Sequence, residues 1–286
     1  MADIKWRQEE KPKMRVNTRE GVTYLTYPEF DKLPGFMHAF STRLGGVSEG
    51  IYSSMNLSFT RGDKEEAVKE NYKRMADAAG FDMNDIVTSD QTHTANVRLV
   101  TEEDRGNGIT KPRPYTDVDG MITNVPGLVL ATFYADCVPL YFIDPVHRAI
   151  GLSHSGWRGT VAKIGAVTVR RMQEEFGSRP SEIYAAVGPS ICQDCYEVSE
   201  DVIEQFKENF EEEQWDSLFY EKPDGKYQLD LWEANHQIML EAGIREEHIS
   251  LPNLCTCCNP EFLFSHRASH GKRGNLGAFL GIKKTK

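Results

Sequence analysis

Cys137 and His154 are the residues of this sequence whose types and spacing most directly suggest chemistry. Residues 138–143 and 148–153 are rich in β-forming side chains, and a turn-like segment with Pro145 joins them. We predict a β-hairpin whose register places Cys137 opposite His154. Opposed residues on antiparallel strands have Cβ atoms about 5 Å apart, so a thiolate and an imidazole could share one metal ion or one proton there.

Two kinds of active site could use this pair. Catalytic zinc usually has three protein ligands and one open position, and mixed sets of Cys and His are accepted. His93, in a turn between two predicted strands, is the best candidate for a third ligand, although no spacing rule links it to the hairpin. In a metal-free cysteine hydrolase, His154 would instead lower the pKa of the Cys137 thiol, and the thiolate would attack a carbonyl. If neither residue takes part in chemistry, Cys137 is a small buried apolar residue and His93 has a structural role.

Three arginine-bearing loops follow predicted strands and could bind an anion. Residues 155–160 contain Arg158 and enter a helix, whose free N–H groups and dipole favour phosphate. Arg43 lies beside hydroxyl and glycine residues, and Arg267 lies in the most basic segment of the chain, 265–273. Each loop could be only a solvated surface, but together they favour a phosphate site.

The remaining cysteines raise the possibility of a second metal site. Cys192 and Cys195 form a CxxC motif, and a second group lies downstream at Cys255, Cys257 and Cys258. Two cysteine pairs could hold a structural zinc ion. Because the second group lacks regular zinc-knuckle spacing, we favour packing and loop chemistry for these residues, with redox activity less favoured.

Composition sets the class of protein that must position these residues. The chain has 286 residues, 40% of them apolar, and a formal charge of -10, so we expect one globular domain and neither a nucleic-acid nor a membrane partner. Residues 1–20 are expected to be a loosely ordered lead-in to a single domain at 21–286. The charged N-terminus does not resemble a signal peptide, which favours a cytosolic protein.

Hydrophobic periodicity predicts four helices, at 64–79 (capped by Asp63 and ended by Gly80), 160–176 (opened by Thr160 and ended by Gly177), 199–210 and 230–242. Strand-like runs besides the hairpin lie at 22–27, 36–40, 85–88, 95–100, 120–123, 128–133, 183–187, 262–265 and 276–282. Strands outnumber helices and several follow one another through short turns. This pattern favours an α+β fold over a regular parallel α/β fold.

The sequence resembles the laccase-domain family, also called multicopper polyphenol oxidoreductases, whose members are now described as purine nucleoside phosphorylases. The resemblance runs from about Phe40 to Ile282. It is carried by Ser41-Thr42-Arg43 with Gly45-Gly46-Val47-Ser48, Met55-Asn56-Leu57, Gln91-Thr92-His93, Asp119-Gly120, Ala135-Asp136-Cys137, His154-Ser155-Gly156-Trp157-Arg158-Gly159, Gly188-Pro189-Ser190, and Phe264-Ser265 with Arg267.

The resemblance implies two mixed β-sheets packed face to face with helices outside. It maps three metal ligands onto His93, Cys137 and His154, with zinc as the metal and copper possible in its place. The implied activity is phosphorolysis of adenosine, inosine, guanosine and methylthioadenosine, together with deamination of adenosine. The implied partners are therefore purine nucleosides and phosphate.

The residues and the resemblance together define the candidate site. The candidate catalytic residues are Cys137, His154, Asp136 and Arg158. The candidate substrate and phosphate contacts are Arg43, Gln91, Arg158, Ser265 and Arg267. Asp136 and Gln91 could orient a metal ligand or a nucleoside hydroxyl.

Two further functions remain open. A nonenzymatic zinc protein could use the same cleft as a binding surface. Copper-dependent phenol oxidation is the activity behind the family's older name, but one His2Cys site is not the multicopper cluster that reduces oxygen to water.

Overall fold

Two six-stranded mixed β-sheets form the centre of the fold in this computed structural model, which describes residues 3–11 and 14–284. The first sheet contains, in spatial order, β1 (Arg15–Arg19), β2 (Val22–Thr26), β3 (Phe36–Ser41), β15 (Leu276–Ile282), β7 (Val129–Tyr134) and β4 (Ile86–Thr88). The second sheet contains β14 (Ile249–Ser250), β10 (Tyr184–Val187), β8 (Val138–Asp144), β9 (Ala149–Ser155), β6 (Gly120–Thr123) and β5 (Val97–Leu99). A small third sheet contains β11 (Glu197–Val198), β13 (Tyr227–Leu229) and β12 (Phe219–Glu221).

The α-helices are α1 (Pro28–Asp31), α2 (Glu65–Ala79), α3 (Trp157–Val161), α4 (Ile164–Phe176), α5 (Glu200–Asn209), α6 (Trp215–Leu218) and α7 (Leu231–Glu241). The amphipathic helix α2 ends at Gly80 and α4 ends at Gly177, and both glycines adopt the left-handed conformation that favours glycine. Among the described residues, no helix combines the length and apolar character needed to cross a bilayer.

The two large sheets pack face to face across the main apolar core. Phe40 and Leu280 of the first sheet belong to the same buried cluster as Tyr141 and Leu152 of the second. Alternate residues point the other way, as Phe279 does, into a separate cluster on the outer side of the first sheet. This arrangement confirms the predicted α+β fold of face-to-face mixed sheets.

Helices cover the outer face of each large sheet. The outer side of the first sheet packs against α2, through buried residues that include Tyr72 and Met75. The outer side of the second sheet packs against α4, α5 and α7, with Val169, Ile203 and Ile238 in one cluster. The edges of the sheets and their connecting loops therefore remain available to form a site.

The predicted hairpin is present, but its register differs by two residues from the predicted one. Asp144 pairs with Ala149, and His154 pairs with Pro139 instead of Cys137. The turn is therefore centred one position later in the chain than expected. A slip of two residues preserves the face of every side chain, because side chains alternate with a period of two. Cys137 precedes the first residue of β8 and is close to His154 diagonally.

The helix predicted at 160–176 is two helices. Lys163 adopts the left-handed conformation between α3 and α4 (φ 53°), which breaks the helix. Thr160 does not open the helix, because its backbone N–H already bonds to Gly156 O at 2.8 Å within α3. The predicted cap Asp63 was also wrong. Lys64 is the N-cap residue of α2, and the Asp63 carboxylate accepts hydrogen bonds from side chains of the preceding loop.

The strand predicted at 262–265 was wrong. The segment forms turns, in which the N–H groups of Phe262 and Leu263 both bond to Asn259 O. Its apolar residues are buried in the core, so its β-like composition reflects burial and not pairing. Within the segment expected to be a loosely ordered lead-in, Arg15–Arg19 pairs with Val22–Thr26 as an edge strand.

Candidate active site

His93, Cys137 and His154 converge on one point, where their donor atoms all lie within 4.8 Å of one another. His93 lies in the loop between β4 and β5 and has a positive φ of 69°. Cys137 follows β7 and His154 lies on β9. The two imidazole rings meet nearly at right angles, with centroids 4.9 Å apart. Two ring nitrogens and one sulfur from three separate elements form a donor set that suits a divalent metal ion.

Asp119 orients two of these three residues. Its carboxylate Oδ1 lies 2.7 Å from His154 Nδ1 and accepts the backbone N–H of His93 at 3.1 Å. The other oxygen, Oδ2, accepts the N–H groups of Thr92 and Thr94. Because Nδ1 of His154 is bonded to the carboxylate, Nε2 is the nitrogen left to face the centre. A carboxylate behind a histidine is the usual support of a metal-binding imidazole.

Gly156 allows the close approach of the three donors. A Cβ atom at this position would lie 3.0 Å from His93 Cδ2 and 3.3 Å from Cys137 Sγ. Glycine therefore leaves space that any larger residue would occupy. The donor set, its carboxylate support and this cradle together fit a bound metal ion.

The charges at the centre reinforce one another. Burial by itself raises the pKa of the Cys137 thiol, but His154 and His93 lower it to about 6. Burial would lower the pKa of His154, but Cys137 and Asp119 raise it to about 9. Burial likewise opposes ionisation of Asp119, whereas hydrogen bonds from His154 and from the backbone lower its pKa to about 2. Without metal, these pKa shifts favour a thiolate beside an imidazolium at neutral pH.

The three donors line a cavity of about 290 Å³. The other lining residues are Leu57, Ser58, Phe59, Thr60, Arg61, Tyr72, Thr88, Ser89, Asp90, Gln91, Gly108, Arg113, Phe133, Ala135, Arg273 and Asn275. The volume is near the small end of cavities that hold small molecules, about 300–1,000 Å³. Phe59 and Phe133 present half-buried aromatic rings to the cavity, and both contact Tyr72. The cavity therefore combines a metal-type centre with aromatic surfaces.

Three arginines line the cavity: Arg61, Arg113 and Arg273. Arg113 forms an ion pair with Asp90 and also donates to Ser89 O at 2.9 Å. Arg273 bonds to Asn275, and burial together with the nearby charge of Arg61 lowers the pKa of Arg273 to about 10. Two positive charges that repel each other in the lining of one cavity favour the binding of an anion between them.

Gln91 is the only predicted substrate contact among the lining residues of this cavity. Its amide is bonded to the main chain of Phe133, with Nε2 donating to the carbonyl at 2.7 Å and Oε1 accepting the N–H at 2.7 Å. Gln91 therefore connects the loop of His93 to β7. Asp136 lies next to Cys137 but is not one of the lining residues, and its carboxylate accepts hydrogen bonds from Thr256 Oγ1 at 2.7 Å and from Arg267 N at 2.7 Å.

The predicted arginines do not line the cavity. Arg43 donates to the carbonyls of Ser53 and Pro260, and Arg267 donates to the carbonyls of Cys195 and Glu197. Arg158 is exposed and stacks on the ring of Trp157, 4.2 Å from its centroid. These contacts give two of the three arginines a structural role in connecting loops.

Ser265 is also absent from the lining residues of the cavity. It is buried, and its hydroxyl oxygen accepts the N–H of Ala268 at 3.1 Å. The same short turn continues with Ser269, whose hydroxyl donates to Ser265 O at 2.6 Å. Ser265 therefore stabilises the turn that carries Arg267.

Three functional residues were not predicted from the sequence: Asp119, which supports the histidines, and Arg61 and Arg273, the cations of the cavity. Asp119-Gly120 is one of the family motifs, so an acidic residue in a shared motif is the signal that identifies Asp119. Arg273 ends the basic segment 265–273, from which the sequence predicts Arg267 instead. Arg61, in the polar stretch before α2, carried no signal of its own.

Comparisons with known proteins agree on the family. The family described as "Multi-copper polyphenol oxidoreductase laccase" matches residues 37–283. The purine nucleoside phosphorylase YlmD of Bacillus subtilis is 39% identical over 246 residues, which cover 86% of this chain and 88% of that protein. The adenosine deaminase RL5 of an unknown prokaryotic organism is 34% identical over 242 residues, covering 84% of this chain and 91% of that protein.

The fold gives the same result. The crystal structure of YlmD from Geobacillus stearothermophilus superposes with a TM-score of 0.87 at 35% identity, covering 96% of this chain and 100% of that one. Sequence and fold therefore agree over nearly the whole length. The chain belongs to the multicopper polyphenol oxidoreductase, or laccase-domain, family, as its motifs predicted.

Proposed function

We propose that this protein is a zinc-dependent purine nucleoside phosphorylase that cleaves adenosine, inosine, guanosine and methylthioadenosine with phosphate, and that it also deaminates adenosine. The observation that carries the proposal is the convergence of His93, Cys137 and His154 at a cavity that also has aromatic and cationic walls. The names of the relatives YlmD and RL5 support the two activities.

His93, Cys137 and His154 would hold the zinc ion. Bound there, zinc would supply Lewis-acid polarisation of an oxygen at its open coordination position. Asp119 holds His154 with Nε2 toward the centre and fixes the backbone of the His93 loop. The lowered pKa of the Cys137 thiol favours the thiolate, which is the form that binds metal.

Phosphate binding is assigned to Arg61 and Arg273, which both line the cavity. In phosphorolysis, a phosphate oxygen forms a bond to the anomeric carbon of ribose while the bond from that carbon to the purine nitrogen breaks. A dianion between the two arginines would relieve their mutual repulsion and be positioned for this attack. Arg43, Arg158 and Arg267 stay as the sequence-based alternatives.

The purine is assigned to the aromatic rings that line the cavity. Phe59 and Phe133 are exposed enough to contact a ligand, and a planar base can stack on either ring. In the deamination, water adds to C6 of adenine and ammonia leaves. Both reactions therefore place the same nucleoside in one cavity, with the attacking group differing between them.

The test is phosphate-dependent release of adenine from adenosine, measured by chromatography. The zinc content of the same protein is measured in parallel. We expect Cys137→Ala and His154→Ala to lose both activity and the zinc of this site. His236→Ala is the matched control, because His236 lies on α7, outside the lining residues, and bonds to glutamates. Full activity in either metal-site variant would overturn the proposal.

A metal-free Cys/His hydrolase is the second candidate, because His154 lies beside Cys137 and lowers the pKa of its thiol, which favours the nucleophilic thiolate. Such an enzyme would keep its activity after chelation and lose it on alkylation of Cys137. The proposed phosphorylase would instead lose activity on chelation and recover it when zinc is restored.

Copper-dependent polyphenol oxidation is the third candidate and is favoured only by the family description. Among the residues that the structure describes, one metal-type cluster contains histidine, whereas a multicopper oxidase needs several copper ions. Phenol oxidation in proportion to added copper, with nucleoside turnover unchanged by copper, would identify it as incidental.

A further inference from the structure

A second cluster of metal-type ligands lies apart from the cavity. The sulfur atoms of Cys192, Cys195, Cys255 and Cys258 all lie within 4.8 Å of one another. In a tetrahedral zinc site with Zn–S bonds of about 2.3 Å, neighbouring sulfurs are about 3.8 Å apart. Cys195 Sγ and Cys258 Sγ are 3.5 Å apart. The four thiols therefore have close to the spacing that one zinc ion requires.

The backbone around the sulfurs is arranged as in a zinc-binding loop. Cys255 Sγ accepts the N–H of Cys258 at 3.4 Å, within its own CxxC, and the N–H of Cys192 at 3.3 Å from the other motif. A thiolate gains more from such bonds than a neutral thiol does. Cys195 N also bonds to Cys192 O at 3.1 Å, which closes the first motif into a turn.

The surroundings suit a negatively charged centre. Cys192 and Cys255 are buried, and Cys195 and Cys258 are half-buried. Arg7 forms an ion pair with Asp194 at 2.7 Å, and its charge acts on Cys192 and Cys258. A zinc ion with four thiolates carries a net charge of about -2, which a neighbouring guanidinium partly offsets.

We propose that Cys192, Cys195, Cys255 and Cys258 bind a structural zinc ion, at a site separate from the His93–Cys137–His154 centre. It is a closed site with four protein ligands, which leaves no position for substrate. Without Cys257, the downstream group is a second CxxC motif, Cys255-x-x-Cys258. All six cysteines of the chain are free thiols in the structure.

The proposed zinc joins two loops that support the first centre. Ser190 and Cys255 form a parallel bridge, and Thr256 N donates to Ser190 O at 3.1 Å. Thr256 also donates its hydroxyl to Asp136, the neighbour of Cys137, at 2.7 Å. A zinc ion that holds Cys255 and Cys258 therefore stabilises the loop that positions Asp136.

Metal analysis of the purified protein, saturated with zinc and desalted, tests the proposal. We expect two zinc ions per chain in the wild type and one in His154→Ala. Cys195→Ser and Cys258→Ser should each lose the second zinc ion while retaining the one at the His93–Cys137–His154 centre. Cys257→Ser is the matched control and should retain two, because Cys257 lies outside the four-sulfur cluster.

Cobalt substitution keeps the test valid if the serine variants fail to fold. His154→Ala protein loaded with Co²⁺ should show the sulfur-to-metal charge-transfer bands of a tetrathiolate site, and their absence would overturn the proposal. One zinc ion in the wild type and none in His154→Ala would also overturn it. So would an intact mass four hydrogens too low, which would identify two disulfides. None of these results depends on nucleoside turnover, so failure of the proposed function is a separate outcome.

Discussion

Asp119 and His154 form a buried carboxylate–imidazole pair, 2.7 Å between Oδ1 and Nδ1, at the point where β6 and β9 lie side by side. The backbone strengthens the connection, because His154 N donates to Asp119 O at 2.7 Å. The carboxylate also accepts the N–H groups of the His93 loop. One acidic residue thus determines the orientation of two of the three metal-type ligands.

Asp119→Asn should weaken zinc binding at the first centre by about 10–100-fold, the usual cost of losing the carboxylate behind a metal-bound histidine. The amide retains the shape of the side chain but cannot offset the charge on the imidazole. Competition with a chromogenic chelator measures the affinity. Asp117→Asn is the matched control, because Asp117 forms hydrogen bonds with Thr92, Thr94 and Asn96 on the same loop, whereas the hydrogen bond to the His154 ring comes from Asp119. Equal losses in both variants would contradict the role of Asp119.

Alkylation of Cys137 in zinc-free protein should rise with pH and reach half its maximum near pH 6. The thiolate is the reactive form, and the folded-state pKa of about 6 lies below the ordinary value of about 8.5. The thiolate is therefore present above pH 6 and is lost as the pH falls through that value. The extent of alkylation at each pH is measured by mass spectrometry of the Cys137 peptide after iodoacetamide treatment.

His154→Ala should move this midpoint upward, because it removes the larger of the two histidine effects that oppose burial and leaves only that of His93 to lower the pKa of the Cys137 thiol. His236→Ala should leave the midpoint unchanged. Added zinc should protect Cys137 in the wild type. An unshifted midpoint in His154→Ala would contradict the thiolate–imidazolium pair.

Arg273→Met should raise the KM for phosphate by about 10–100-fold, the loss expected for charge-assisted hydrogen bonds worth about 1.5–3 kcal/mol. The KM for adenosine should change much less. Initial rates at varied phosphate concentrations give both constants.

The Arg273 prediction is compared with three other variants, Arg158→Met, Arg43→Met and Arg267→Met. Arg158 is the best matched of them, because it is exposed and its loss should not disturb folding. If Arg158→Met raised the KM for phosphate more than Arg273→Met, phosphate would bind at the start of α3, as the sequence alone suggested.

Gly156→Ala should lower the zinc affinity of the first centre without unfolding the protein. The new methyl group would press on His93 and Cys137, at 3.0 Å and 3.3 Å, and force the donors apart. Gly165→Ala is the control, because a Cβ there would make ordinary contacts of 3.4 Å or more. Chelator competition and the thermal unfolding midpoint separate a metal effect from a folding effect. Unchanged zinc affinity in Gly156→Ala would contradict the close packing of the centre.

Local features of the fold could be predicted from the sequence because local interactions determine them. Gly80 and Gly177 end their helices as expected, because this kind of helix end needs a residue that adopts the left-handed conformation without strain. The hairpin of Cys137 and His154 was also predictable from its β-rich arms. Its register was not, because turn geometry decides it and several four-residue turns suit the same sequence.

Contacts between residues far apart in the sequence could be identified only from the tertiary structure. The sequence by itself determined the ligand types, the family motifs and the two-sheet architecture that the motifs imply. Only the tertiary structure brought Arg61 beside Arg273 and aligned Cys192-x-x-Cys195 with Cys255-x-x-Cys258. Packing of the two sheets brings these distant loops together, and no local pattern encodes which loops will meet.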